Sequence, residues 1–99
     1  MMTVMSETRV KAGHEAEWDA AYAERAADAR TQDGWVDLHL LVPETDPAAR
    51  VIVGTWRDKD AWRRWHQTET FQRTRELLDG ASDDRGDDHW YTVVEQETA

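Results

Sequence analysis

Cysteine is absent from this chain of 99 residues, and proline occurs only at Pro43 and Pro47. Without cysteine there is no disulfide, no thiolate nucleophile and no cysteine-ligated zinc or iron–sulfur site. No apolar run approaches the roughly 20 residues that a membrane-spanning helix needs. Residues 1–10 also lack the basic start and long apolar stretch of a signal peptide. We therefore expect a cytoplasmic protein with no membrane partner.

Positive charge is scarce as well: the chain has 12 basic and 21 acidic residues, and its net charge is −9. A nucleic-acid-binding protein needs a clustered face of Lys and Arg that neutralises phosphates. The densest basic patch here has acids interleaved, and it consists of Arg57, Lys59, Arg63 and Arg64. We therefore expect no nucleic-acid partner.

Tryptophan is the residue type in surplus, with six copies against two Tyr and one Phe. Such side chains bind flat or apolar groups, or fill a small core with few large residues. The length predicts a single domain over residues 1–99. A chain of this size buries only about 60–65% of its unfolded surface, so a partner subunit would add stability.

Hydrophobic periodicity predicts four strands and helices between them in the order β-α-β-β-α-β. The predicted strands cover 3–10, 35–42, 50–56 and 89–95, and the helical stretches cover 14–32, 59–67 and 69–79. Asp58 and Thr68 are predicted to cap the last two stretches, and 81–88 is predicted to be an acidic loop. This order predicts an α+β, ferredoxin-like fold, with a four-stranded antiparallel sheet and helices on one face. The second strand is apolar on both faces, with Val36, Leu38 and Leu40 on one and Trp35 and Leu41 on the other. We therefore expect a second copy to cover the helix-free face.

Three segments carry a resemblance to a known family, and they are Val10-Lys11-Ala12-Gly13, Asp33-Gly34-Trp35 and 53–62, which reads VGTWRDKDAW. With them the chain resembles the antibiotic-biosynthesis-monooxygenase-like family of dimeric α+β barrels. That family includes cofactor-independent oxygenases of polyphenols, quinol oxygenases and heme-degrading monooxygenases. The resemblance implies a homodimer that acts on a small aromatic substrate with O₂.

Departures from the family pattern separate these activities. Quinol-oxygenase-like members carry His where this chain has Trp65 and Thr70. Heme-degrading members share Trp65, but their heme-ligating His falls where this chain has Thr74 or Arg75. A guanidinium has no lone pair for iron, so ordinary heme ligation is not expected. Polyketide oxygenases match at Trp56, although their Asn four residues earlier is replaced by Ile52.

The expected binding residues are an aromatic set with one cation, and they are Trp56, Trp62, Trp65, Phe71 and Arg75. The tryptophans would form a flat wall for a planar ring, and Arg75 would hold a phenolate or carboxylate of the substrate. The alternative is ordinary core packing for the tryptophans. For Arg75 the alternative is a surface ion pair with Glu76, Asp79 or Glu24.

Two histidines are candidates for a catalytic base. His39 shares a strand face with Asp37, and a carboxylate beside an imidazole fixes its tautomer and raises its basicity. His66 follows Trp65 directly, and neighbours on a helix point about 100° apart. The alternatives are a polar pair at an edge or interface for His39, and a solvated or capping role for His66.

The sequence thus predicts a small monooxygenase that oxidises a polyphenolic, quinol or polyketide-derived aromatic substrate with O₂ and without a cofactor. No motif for a phosphate, nicotinamide, flavin or metal is present. A heme-binding or heme-degrading protein is one alternative, and a non-catalytic dimeric binding module is another.

Overall fold

Five antiparallel strands form one sheet, and three helices pack on one of its faces, in a computed structural model that describes residues 1–99. The strands are β1 (Met2–Val10), β2 (Trp35–Leu41), β3 (Ala49–Trp56), β4 (Ser82–Asp84) and β5 (Asp88–Thr92). The helices are α1 (Glu15–Ala29), α2 (Lys59–His66) and α3 (Glu69–Gly80). The predicted α+β, ferredoxin-like element order is confirmed. None of the helices is both long and apolar enough to cross a membrane.

The strand count differs from the prediction, because part of the predicted acidic loop forms β4. β1 lies at the centre, with β3 and then β2 on one side and with β4 and β5 sharing its other edge. The turn between β4 and β5 passes over the backbone of Glu7, where Gly86 has φ +67. A Cβ on Gly86 would stand 1.9 Å from the carbonyl oxygen of Glu7, so only glycine fits this crossing.

The helix starts follow from local capping. The Asp58 side chain accepts a hydrogen bond of 2.8 Å from the backbone N–H of Ala61 at the start of α2. Thr68 accepts one of 3.3 Å from the N–H of Phe71 at the start of α3. Both predicted caps are confirmed, and they satisfy backbone donors that a helix start leaves free.

A register shift in β2 corrects one predicted facing. Pairing jumps from Trp35 opposite Trp56 to Asp37 opposite Thr55, so the strand carries an extra residue there. Trp35 therefore packs with the core on the helix face, together with Leu38, instead of on the helix-free face. A sequence pattern with a strict period of two cannot show such a shift. One inserted residue moves the side chains on one side of it to the opposite face of the sheet.

Two buried clusters lie between sheet and helices, side by side. One contains Val10, Trp18, Ala21, Tyr22, Leu78 and Ala81. The other contains Ala29, Trp56, Ala61, Trp65 and Phe71. The space between them is the pocket described next.

Candidate functional site

A pocket of about 360 Å³ opens between the helix-covered face of the sheet and the three helices. Small-molecule sites are concave and mostly apolar, and they begin at about 300 Å³. Strands β1 and β3 supply the floor through Val4, Ile52 and Trp56, and the helices supply the walls. The volume suits one small ring system.

Stacked aromatic rings form one wall. The indoles of Trp56 and Trp65 stack with ring centroids 5.1 Å apart, and Phe71 meets Trp65 edge-on at 4.7 Å. Trp62 lines the same wall and contacts Trp90 of β5 at 4.3 Å, in an edge arrangement. Trp56 is only 1% exposed, so it serves the core as well as the pocket. The predicted aromatic residues thus lie together, although their roles stay predictions.

Trp65 is held in place by a polar contact. Its indole N–H donates a hydrogen bond of 3.2 Å to a carboxylate oxygen of Asp28 on α1. A buried indole N–H without a partner would destabilise the fold, so this contact fixes both the ring and its orientation. The aromatic wall is therefore a preformed surface.

His66 lies in the same wall, pressed between two rings. Its imidazole centroid is 3.4 Å from that of Trp62 and 3.8 Å from that of Phe71. Nδ1 lies 2.8 Å from the carbonyl oxygen of Trp62, and since a carbonyl only accepts, Nδ1 carries the proton. Nε2 then holds a free lone pair. His66 and Trp65 both line the pocket.

Burial, together with the smaller effect of the positive charges of Arg25 and Arg75, lowers the pKa of His66 to about 4, against the opposing effect of the Trp62 carbonyl. Desolvation disfavours the charged imidazolium, and so do like charges. At neutral pH the ring is therefore uncharged, with one fixed tautomer and one accepting nitrogen.

Tyr22 and Arg25 of α1 are among the polar residues of the pocket that sequence reasoning missed. Tyr22 stacks on Trp18 with ring centroids 5.6 Å apart, and burial raises its pKa to about 12, so it stays a neutral phenol. The guanidinium of Arg25 lies 4.2 Å from the centre of the Phe71 ring. The available signal was the spacing of Trp18, Tyr22 and Arg25, which puts an arginine on the buried stripe of the helix.

Arg75 lines the pocket from the exposed side of α3. The ion pairs considered for it do not form, since Glu24 pairs with Arg73 and Asp79 pairs with Arg85. Arg75 is thus free to meet a ligand.

Asp37 and His39 lie elsewhere. Their cross-strand partners Thr55 and Val53 put them on the helix-free face of the sheet, opposite the pocket. They do share one face, as the alternation predicts. The sheet separates them from the aromatic wall, so the pocket of this chain contains His66 and not His39.

Neither Thr74 nor Arg75 can ligate iron. These are the two positions at which the family resemblance would put the heme-ligating histidine. Thr74 is fully buried, and its hydroxyl donates to the carbonyl oxygen of Thr70 at 2.8 Å. Arg75 has no lone pair to give. No group of three or more His, Asp or Glu side chains is placed to hold a metal ion. These residues do not fit the ordinary heme site.

Comparisons with known proteins identify the family. The family model "Antibiotic biosynthesis monooxygenase" matches residues 1–77, and the chain therefore belongs to this family. A search among curated proteins finds no match.

Solved structures of similar fold agree with this assignment. A crystal structure of an antibiotic biosynthesis monooxygenase superposes with a TM-score of 0.88 at 22% identity, covering 96% of this chain and 100% of the other. SnoaB, a cofactor-independent oxygenase from Streptomyces nogalater, superposes with a TM-score of 0.85 at 25% identity, covering 96% and 94%. A conserved protein from Methanosarcina mazei Go1 superposes with a TM-score of 0.87 at 16% identity, covering 91% and 89%. The family thus includes small monooxygenases.

Proposed function

We propose that this chain is a cofactor-independent monooxygenase that oxidises a planar, electron-rich phenolic substrate with O₂. The observation that carries the proposal is a single pocket in which an aromatic wall, an uncharged histidine and unpaired arginines meet. Family membership and the likeness to SnoaB support this reading. Substrate rings would pack against Trp65, with Trp56, Trp62 and the edge of Phe71 bounding the space.

The proposed chemistry begins with a proton. His66 Nε2 accepts it from a phenol or enol of the substrate, and Arg75 stabilises the resulting oxyanion. That anion is electron-rich enough to reduce O₂ by one electron, and the two radicals combine at a ring carbon. For an anthrone, the peroxide formed at the former CH₂ carbon takes the proton back from His66. It then loses its outer oxygen as water together with the remaining hydrogen of that carbon, which becomes a carbonyl. Trp56 and Trp65, at 1% and 5% exposure, keep bulk water from that side of the substrate ring.

The pKa of about 4 fits this role in one respect. A histidine that stayed protonated at neutral pH would be unable to accept the substrate proton. The lowered pKa keeps Nε2 unprotonated but also makes it a weak base, so the nearby arginines must lower the pKa of a bound phenol for the proton to transfer. The proton transfer therefore depends on Arg75 as well as on His66.

We further propose a cytoplasmic homodimer in which the helix-free sheet face meets its copy. That face carries an apolar strip made of Met5, Leu41, Val51, Val53 and Tyr91. Leu41 and Tyr91 are about half exposed in the single chain, at 48% and 50%. An apolar strip of this kind on an uncovered sheet face is typical of a subunit interface.

An oxygen electrode tests the enzymatic proposal. Purified protein in buffer with a chelator is given a hydroxylated anthrone, and O₂ uptake above the buffer rate is expected. His66→Gln should lower kcat by about 10²- to 10⁴-fold, the usual contribution of a general base. His14→Gln is the matched control, because His14 is exposed and contacts only Glu17. Unchanged uptake in His66→Gln with loss in His39→Gln would contradict the base assignment. No uptake with any phenol of a panel would favour a non-catalytic binding module.

A further inference from the structure

Arg25 is the most unusual charged residue of the pocket. It projects from α1 and is fixed by its Nε, which donates to the hydroxyl of Thr74 at 3.2 Å. One amino group donates a long bond of 3.5 Å to the carbonyl oxygen of Phe71, and the guanidinium lies over the Phe71 ring. These contacts hold the side chain in one geometry beside the aromatic wall.

No carboxylate neutralises this cation. Most arginines of the chain pair with Asp or Glu, but no carboxylate oxygen lies within 4.0 Å of Arg25. Its hydrogen bonds within the chain come from Nε and Nη2, which leaves Nη1 without a protein partner. Burial lowers its pKa to about 10, so it remains protonated at neutral pH. A partly buried unpaired charge is unfavourable, and a bound anion would offset that.

The other charges of the pocket leave Arg25 available. Asp79 is engaged by Arg85 at 3.1 Å. Asp87 and Asp88 line the pocket from the exposed β4–β5 turn and the start of β5. Asp79 and Asp88 attract Arg25 at longer range, but burial lowers its pKa more than they raise it. The pocket is therefore positive beside Phe71 and acidic at its solvent-exposed rim.

We propose that the natural ligand is a planar aromatic acid whose carboxylate is bound by Arg25 while its ring packs against Trp65 and the edge of Phe71. A guanidinium fork presents paired N–H donors that match the two oxygens of a carboxylate. Arg75 adds a second positive charge on the same side. The inference rests on the proposed substrate pocket and names its substrate class, a phenolic carboxylic acid.

Equilibrium binding under nitrogen tests this without turnover. The probes are anthraquinone-2-carboxylate and its neutral carboxamide, which differ only in charge, and the readout is quenching of tryptophan fluorescence. The intact protein should prefer the carboxylate by roughly 10- to 100-fold, as expected for hydrogen bonds to a charged group. Arg25→Met should bring the preference close to one, and Arg25→Lys should restore part of it. The matched control is Arg73→Met, because Arg73 is exposed on α3 and pairs with Glu24 outside the pocket.

Equal binding of the two probes, or a preference that survives in Arg25→Met, would overturn the inference. If Arg25→Met does not fold, the side-chain Nε–H resonance of Arg25 in the intact protein gives the answer. It should shift on adding the carboxylate and stay in place with the carboxamide, and no shift with either would refute the assignment. O₂ uptake without a preference for the carboxylate would refute this inference and leave the oxygenase proposal intact. A preference for the carboxylate without O₂ uptake would refute the oxygenase proposal and still support the binding site.

Discussion

Acid should destabilise the fold through His66 in a measurable way. The unfolded chain binds a proton at this residue below its ordinary pKa of 6.5, whereas the folded chain keeps the ring neutral down to about 4. The stability gained from the neutral ring is therefore fully present above 6.5 and is lost as the pH falls toward 4. Between 6.5 and an assay at about pH 4.5 the difference spans about two units, or about 3 kcal/mol at about 1.4 kcal/mol per unit. Residual solvent contact of the ring reduces this to about 1–2 kcal/mol.

Urea denaturation at about pH 7.5 and about pH 4.5 measures the effect. The comparison protein is His66→Gln, whose amide can still donate to the Trp62 carbonyl. Carboxylates such as Asp33 and Asp58, whose pKa values lie below the ordinary range, also lose stabilisation in acid. The difference between the two proteins removes that shared contribution. The intact protein should lose about 1–2 kcal/mol more than His66→Gln between the two pH values. Equal losses would refute the burial of a neutral His66.

Three other substitutions test the packing, the capping and the proposed dimer. Gly34→Ala should destabilise the fold by about 1–3 kcal/mol more than Gly13→Ala, measured by urea denaturation. Both glycines have positive φ, but only at Gly34 would a new Cβ meet Ala61, at 2.6 Å. Equal effects would contradict the close approach. Asp58→Ala should lower the free energy of unfolding by about 1 kcal/mol, because α2 loses its capping acceptor, and an unchanged midpoint would contradict the cap. Val53→Glu should sediment as a monomer, because it puts a charge in the centre of the proposed interface, and a surviving dimer would rule that face out.

The element order could be read from the sequence because its signals are local. Hydrophobic alternation marked the strands, and Asp58 and Thr68 marked helix starts whose capping bonds are present. β4 was not foreseen because it has only three residues in an acidic segment, and its pairing with Arg9 and Val10 is long-range. Trp35 was given the wrong face for a related reason, since an extra residue in β2 is invisible to a strict period of two.

The pocket was predictable where its residues came from one stretch of chain. Trp56, Trp62 and Trp65 are close in sequence, and the family pattern pointed to them together. Arg25 is 46 residues from Phe71 in the chain, and no local pattern brings them together. For His39 and Asp37, the alternation correctly predicted that they share one face of β2. It could not show that this face is the one opposite the pocket.

Labelled oxygen provides the most direct test of the central claim that this pocket supports oxygenation without a cofactor. The purified protein, kept in chelator, oxidises a hydroxylated anthrone under ¹⁸O₂, and mass spectrometry follows the product. The account predicts one labelled oxygen atom in the product carbonyl, formed well above the uncatalysed rate and strongly slowed in His66→Gln. Product formed no faster than in buffer, or formed equally fast by His66→Gln, would contradict it.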